Sequence, residues 1–141
     1  MLKHIPSNLT PDLLKVLMEM GHGDEIVIAD GNFPSASHAN HLIRLDGLSI
    51  PEVLDSILKL FPLDTFVDAP ITYMAIPEGE PDPEIWLRYN EVLVEFKEEF
   101  NSVEKVGRFE FYERAKKAYA IIATSETALY ANVILKKGVI A

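Results

Sequence analysis

Apolar positions along the chain predict short helices that alternate with buried strands. Side chains recur at helical spacing in four segments, two of which begin at the capping residues Thr10 and Ser49. The predicted helices cover residues 11–20, 50–61, 83–96 and 108–117. Short runs typical of buried strands lie at 25–30, 71–76, 103–106, 118–124 and 132–135. The small polar segment 35–41 predicts a loop.

This alternation is typical of an α/β protein with three layers, α/β/α, around a central sheet. The link 125–131 between the last two predicted strands is too short for the crossover that joins parallel neighbours. We therefore expect a mixed, mostly parallel sheet. The length of 141 residues, 48% of them hydrophobic, predicts one domain with a substantial core.

Charge and composition narrow the classes of function. The chain has 13 Lys and Arg against 22 Asp and Glu, so its net charge of −9 disfavours nucleic acid and anionic membranes as partners. It has no cysteine, which excludes disulfides, thiolate metal sites and a cysteine nucleophile. Residues 1–6 lack the apolar stretch of a signal peptide, and no apolar run reaches the roughly 18 residues of a membrane span. We expect a cytoplasmic protein that takes a neutral ligand.

His22 is the first candidate for chemistry. It lies between Gly21 and Gly23, just after the first predicted helix. Flanking glycines let a ligand approach the backbone closely, and histidine is the usual general acid or base near neutral pH. The alternative is a surface histidine in a turn.

Four further side chains are candidates for ligand binding. Asp30 ends a predicted parallel strand, where open α/β sheets place their ligands, or it serves only as a turn residue. Arg108 is placed to bind a hydroxyl, or to form a surface ion pair. Tyr130 and Asn132 point to one face of an extended segment, which suits a polyol. The alternative for Tyr130 is a half-buried ring whose hydroxyl is satisfied locally.

Two other patterns favour a structural role over a metal-binding or ligand-binding one. His38 and His41 have a metal-like spacing, but no third ligand accompanies them, so we expect no metal site. The aromatic and apolar stripe of the third predicted helix favours a core over a binding surface. That stripe consists of Trp86, Tyr89, Leu93 and Phe96.

Several runs in a fixed order resemble one known family. They are EMGHGDE (19–25), DGNFP (30–34), RLDGL (44–48), PLD (62–64), RFEFYERA (108–115), TALY (127–130) and LKKGV (135–139). Together they resemble the fucose mutarotase branch of the family that also contains the D-ribose pyranases, over nearly the whole chain. The run at 108–115 favours the fucose branch.

The resemblance implies a fold, an activity and a set of site residues. The fold would be that of the ribose pyranases, as a single sugar mutarotase domain over residues 1–141. The activity would be interconversion of the α and β anomers of L-fucose, an isomerase reaction without metal or organic cofactor. His22 matches the proton-transferring position, and the sugar-binding positions are matched by Asp30, Asp64, Arg108, Tyr130 and Asn132. Because a phenol hydroxyl both donates and accepts, Tyr130 is our hypothesis for a second proton-transfer group.

The spacing of His22 and Asp30 adds an expectation about assembly. Eight residues with a strand between them span up to about 26 Å, far more than a monosaccharide. Either the His22 loop folds back, or two subunits complete each site. We favour a homo-oligomer with sites near subunit boundaries, and the resemblance implies a decameric ring.

Three other readings remain open. One is the same ring-opening chemistry on another monosaccharide, as in a D-ribose pyranase. Another is a sugar-binding module without catalysis, and the third is a structural subunit. Only the shape of the pocket can distinguish the two sugars, and Ala131, where the family usually has glycine, is one place to look.

Overall fold

The computed structural model describes residues 1–141 and has a six-stranded sheet at its centre. The strands are β1 (Glu25–Ala29), β2 (Leu42–Leu45), β3 (Ile71–Met74), β4 (Val103–Val106), β5 (Ala120–Thr124) and β6 (Val133–Lys136). Their order across the sheet is β2-β5-β1-β6-β3-β4. Every neighbouring pair is parallel except those of β6, which runs antiparallel to both β1 and β3. The predicted mixed, mostly parallel sheet is confirmed.

Helices cover both faces of this sheet. They are α1 (Pro11–Glu19), α2 (Ser35–His38), α3 (Ile50–Leu58), α4 (Glu84–Leu93) and α5 (Arg108–Lys117), with a 3₁₀ helix at Val94–Glu99. The side chains of α1, α3 and α4 share one core with one face of the sheet, and α5 packs on the other face with α2 beside it. The three-layer α/β/α expectation is therefore confirmed. None of the helices combines the length and the hydropathy that crossing a bilayer requires.

Side-chain alternation along β1 divides the interior into two unequal cores. Ile26 and Ile28 point into the core beneath α1, α3 and α4, whereas Val27 and Ala29 point toward α5. The first core contains 27 buried apolar residues and the second only nine. The layer formed by α5 is therefore held by much less apolar burial than the opposite layer.

Local signals explain where the helices begin. The Thr10 hydroxyl accepts a hydrogen bond from the Leu13 N–H at 3.2 Å, and the Ser49 N–H donates to the Glu52 carboxylate at 2.6 Å. These contacts satisfy backbone donors that a helix start leaves unpaired.

The predicted loop at 35–41 is wrong in part. The structure has the single-turn helix α2 there, and β2 follows directly as an edge strand. In β2, Ile43 and Leu45 are buried while Leu42 and Arg44 are exposed. A segment of four residues that alternates between exposed and buried side chains is too short to be recognised as a strand from sequence. It forms a strand here because it pairs with β5.

A close backbone junction joins three segments beyond the end of β6. The Lys137 carbonyl accepts from the Gly23 N–H at 2.8 Å, and the Lys136 carbonyl accepts from the Asp64 N–H at 3.1 Å. Gly138 N–H in turn donates to the Pro62 carbonyl at 2.8 Å. The chain around His22 and the chain around Asp64 are thereby held against the same C-terminal segment.

Gly138→Ala is expected to destabilise the fold. A Cβ at this position would lie 2.7 Å from the Leu63 carbonyl carbon and 2.9 Å from the Asp64 Cα, so backbone must move. Overpacking of this kind costs about 1–3 kcal/mol of unfolding free energy, measurable by urea denaturation. Gly21→Ala is the matched control, because its Cβ would meet only Asp24 Oδ2 at an ordinary 3.7 Å. Equal stability of the two variants would contradict the prediction.

Candidate active site

The six predicted site residues fall into two groups at opposite ends of the β1–β6 pair. In the antiparallel register, Glu25 pairs with Lys136 and Ile28 pairs with Val133. Asp30 and Asn132 therefore lie together at one end. His22 lies beyond the other end, next to Asp64. We call the first group the Asp30 pocket and the second the His22 pair.

The Asp30 pocket has a volume of about 270 Å³ and combines polar and apolar walls. Its lining comprises Asp30, Asn32, Phe33, Met74, Arg108, Tyr112, Leu129, Tyr130 and Asn132. The Asp30 N–H donates to Asn132 Oδ1 at 2.7 Å, and the Asn32 N–H donates to Asp30 Oδ1 at 2.9 Å. These bonds fix the carboxylate and the amide relative to each other across 102 positions of sequence. The predicted residues Asp30, Arg108, Tyr130 and Asn132 thus meet in one pocket.

Arg108 reaches this pocket from the first turn of α5. Its Nε donates to the Tyr112 hydroxyl at 3.0 Å, and its guanidinium lies 5.4 Å from the centre of the Tyr112 ring. Tyr112 is in turn packed edge-on against Phe33. Arg108 forms no ion pair in the chain, so the alternative of a surface salt bridge does not hold. Its remaining N–H donors are available to a ligand.

Tyr130 occupies a left-handed backbone conformation with φ 55°, so the segment before β6 is not the extended one that we expected. Its carbonyl accepts from Trp86 Nε1 at 3.0 Å, which anchors the turn to α4. The Tyr130 hydroxyl has no hydrogen-bond partner in the chain, so it is free for a ligand. Ala131 is fully buried in the core, with its carbonyl bonded to the Tyr89 hydroxyl. The Ala131 side chain therefore does not line the Asp30 pocket.

The His22 pair consists of an exposed imidazole and a buried carboxylate. His22 Nε2 lies 3.0 Å from Asp64 Oδ1, and the side chains are 43% and 5% exposed. The Phe66 N–H donates to the same Asp64 oxygen at 3.0 Å, and the Phe66 ring lies 5.2 Å from the imidazole. His22 also borders an apolar groove of about 540 Å³.

The two aspartates have opposite electrostatic environments. Burial raises the pKa of Asp30, with Glu126 adding to it, although hydrogen bonds from the Asn32 and Phe33 backbone and from Asn132 oppose this. Burial also acts to raise the pKa of Asp64. There, however, the Phe66 N–H, His22 and Lys136 together hold the pKa of the carboxyl below its ordinary value. Ionised Asp30 therefore costs folding free energy, whereas ionised Asp64 stabilises the fold.

Two further histidines, His38 and His41, belong to neither group. His38 packs against Tyr112, and His41 stacks on Tyr119 with ring centres 4.8 Å apart. No set of three or more His, Asp or Glu side chains is grouped so as to hold a metal ion.

Comparison with known proteins identifies the family of this chain. A family model described as the RbsD / FucU transport protein family matches residues 3–140. The chain belongs to that family. The "Fucose mutarotase" of Danio rerio is 53% identical over 99% of this chain and 94% of its own length. The resemblance found in the sequence is therefore confirmed.

Solved structures of the family give the same fold. The fucose mutarotase of Streptococcus pneumoniae, solved in complex with L-fucose, is 58% identical and superimposes with a TM-score of 0.94, covering 99% of this chain and 100% of that one. The RbsD of Bacillus subtilis, solved in complex with D-ribose, is 27% identical with a TM-score of 0.78, and each chain covers 100% of the other. Both the sequence and the fold of this family member are thus closer to the fucose-bound structure.

Sequence reasoning missed several residues that complete the two groups. Tyr112 holds Arg108, and the spacing of four residues on a predicted helix was the signal that could have found it. Phe33 follows Asp30 within the run at 30–34 and walls the pocket. Phe66 carried no signal, because its contact with His22 joins two loops 44 positions apart.

Replacement of each aspartate by asparagine should change stability in opposite directions. Asp30→Asn removes a charge that is costly to bury, so Tm at neutral pH should rise. Asp64→Asn removes a charge that the fold stabilises, so Tm should fall. This loss should shrink as the pH drops through the lowered pKa of Asp64, where the native protein also becomes protonated. Thermal unfolding of both variants and of the wild type between about pH 3 and about pH 7 checks this. Tm shifts of the same sign in the two variants would contradict the prediction.

Proposed function

We propose that this chain is an L-fucose mutarotase, an isomerase that interconverts the α and β anomers of L-fucose. The observation that carries the proposal is the Asp30 pocket, in which a carboxylate, a guanidinium, a phenol and an amide surround a volume suited to one sugar. Support comes from the similarity to the fucose-bound structure of Streptococcus pneumoniae. We assign the whole of residues 1–141 to one sugar mutarotase domain and the reaction to the cytoplasm.

The reaction needs only proton transfers, which suits these side chains. A base takes the proton of the anomeric hydroxyl and an acid protonates the ring oxygen, so the bond between C1 and the ring oxygen breaks and an aldehyde forms. The C1–C2 bond rotates, and closure on the other face of the aldehyde returns both protons. In our proposal His22 and Tyr130 carry the protons, while Asp30, Arg108 and Asn132 bind the hydroxyls. Such acid–base catalysis supplies about 10²–10⁴-fold.

Completion of this site requires two subunits. Within one chain, β1 alone separates the two groups by roughly 13 Å, and the groups lie beyond its opposite ends. No fold-back of the His22 loop brings it to Asp30, because the junction with Lys137 and Asp64 holds it at the far end. We therefore propose that the His22 pair of one subunit faces the Asp30 pocket of a neighbour.

Exposed apolar side chains around both groups support this assembly. Met18, Phe66 and Ile140 are 84%, 73% and 85% exposed near His22, and Leu129 at the Asp30 pocket is 71% exposed. Such patches rarely remain bare in a monomer. Contact between two different surfaces of identical subunits generates a ring when the rotation closes. We therefore propose a homo-oligomeric ring, for which the family resemblance suggests a decamer.

Saturation-transfer NMR on equilibrated L-fucose tests the activity. Irradiation of one anomeric proton should attenuate the other when protein is added, and His22→Ala should slow this exchange by about 10²–10⁴-fold. His41→Ala is the matched control, because that ring stacks on Tyr119 away from both groups and its loss should leave exchange unchanged. D-Ribose is measured in parallel.

Each outcome separates the competing functions. Faster exchange on ribose than on fucose would favour a ribose pyranase. Saturable binding of fucose without exchange would favour a binding module.

Mixed oligomers test the two-subunit site. His22→Ala and Asp30→Asn should each inactivate the protein when expressed alone. In oligomers co-assembled from equal amounts of both, about one quarter of the sites receive an intact His22 and an intact Asp30 from different chains. Exchange activity should therefore return to roughly a quarter of wild type. No recovery in verified mixed oligomers, or full activity in a verified monomer, would overturn the shared site.

A further inference from the structure

Glu126 lies outside the Asp30 pocket but is bonded to the segments that form it. It follows β5 and does not line the pocket. Its Oε1 accepts from the Ile50 N–H at 3.1 Å, and its Oε2 accepts from the N–H groups of Thr127 and Ala128 at 2.9 and 3.1 Å. One carboxylate thus joins the start of α3 to the turn that leads to Tyr130.

The backbone of Glu126 holds the loop after β1 as well. Its carbonyl accepts from the Gly31 N–H at 2.8 Å, and a Cβ at Gly31 would lie only 3.3 Å from that oxygen. The Glu126 N–H donates to Thr124 Oγ1 at 3.2 Å, and this hydroxyl donates to the Ala29 carbonyl at 2.7 Å. Because Asp30 directly precedes Gly31, one residue fixes both the loop of the pocket carboxylate and the turn of the pocket phenol.

Glu126 also opposes the negative charge of Asp30. Burial raises the pKa of Asp30, and the charge of Glu126 raises it further. The other titratable groups around Asp30 come from α5, α4 and the turn before β6, and they are Arg108, Tyr112, Tyr89 and Tyr130. None of these adds a negative charge at neutral pH. Sugar hydroxyls that donate to Asp30 would offset part of the cost of its charge.

We propose that Glu126 is a positioning residue of the Asp30 pocket, which acts through Asp30 and Tyr130 rather than on the sugar. This inference rests on the proposed mutarotase function. Glu126 holds the two side chains in one arrangement, in which Asp30 binds sugar hydroxyls while Tyr130 transfers a proton. Because the arrangement exists before the sugar arrives, little ordering is left to be done on binding.

Glu126→Gln tests this proposal. An amide has a single acceptor oxygen, so its NH₂ group faces at least one of the three backbone donors and a support of the turn is lost. We expect kcat/KM for anomer exchange of L-fucose to fall about 10-fold or more. The midpoint of the Asp30 titration should move to lower pH, because a like charge has been removed. It is followed by ¹³C NMR of the aspartate carboxyl groups, with Asp30→Asn to assign the signal.

Glu52→Gln is the matched control. Glu52 also accepts from a backbone N–H at the start of α3, that of Ser49 at 2.6 Å, and its replacement removes the same charge. It should leave both kcat/KM and the Asp30 midpoint unchanged. Glu126→Asp is a second variant, which keeps the charge but shortens the side chain. Its Asp30 midpoint should stay close to that of the wild type while kcat/KM falls.

The two measurements separate the proposal from its alternatives. An unmoved Asp30 midpoint in Glu126→Gln, or a kcat/KM within about twofold of the wild type, would overturn it. Equal losses in Glu126→Gln and Glu52→Gln would overturn it as well, because both would then reflect only support of α3. If Glu126→Gln does not fold, an unchanged kcat/KM in Glu126→Asp overturns the proposal and a lowered one supports it. Absence of exchange in the wild-type protein would instead defeat the proposed function, and the midpoints would still report the effect of Glu126 on Asp30.

Discussion

The antiparallel insertion of β6 beside β1 is the constraint on which the rest of the structure depends. Because the two strands run in opposite directions, each end of the pair combines a residue that precedes one strand with a residue that follows the other. Asp30 and Asn132 meet at one end, and the His22 loop meets the segment after Lys136 at the other. The pairing of β1 with β6 thus positions both the Asp30 pocket and the His22 pair. The same pairing keeps the two groups apart within one chain.

The two buried aspartates, Asp30 and Asp64, affect the stability of the fold in opposite ways. Asp64 is satisfied by its own loop and stabilises the fold in its ionised form. Asp30 is less well compensated, because burial and Glu126 act against its charge. Poor compensation of a carboxylate in an open pocket is what a ligand's hydroxyl groups can relieve on binding. Of the two aspartates, the one whose charge is less well compensated is therefore the one suited to bind substrate.

The sequence predicted the parts of the fold that local patterns encode. Capping residues, buried apolar runs and the short link before β6 were sufficient for the three layers and the mixed sheet. β2 escaped prediction because its four residues become a strand only by pairing with β5. Site residues were found from strand ends and from family resemblance, whereas Phe66 and the contact of Asp64 with His22 depend on loops distant in sequence. The sequence also could not show that Ala131, between two pocket residues, faces the core.

The two cores differ in size, and this difference affects how easily the layers of the fold open. The layer containing α5 rests on nine buried apolar residues, against 27 on the opposite face, so we expect it to open at a lower free-energy cost than the opposite layer. Arg108 and Tyr112 lie on that layer, whereas Asp30 and Asn132 are bound to the central strands. A sugar bound by both pairs of residues would link the α5 layer to the central sheet and so stabilise that layer. Amide hydrogens of α5 would then exchange with solvent more slowly when the pocket is filled.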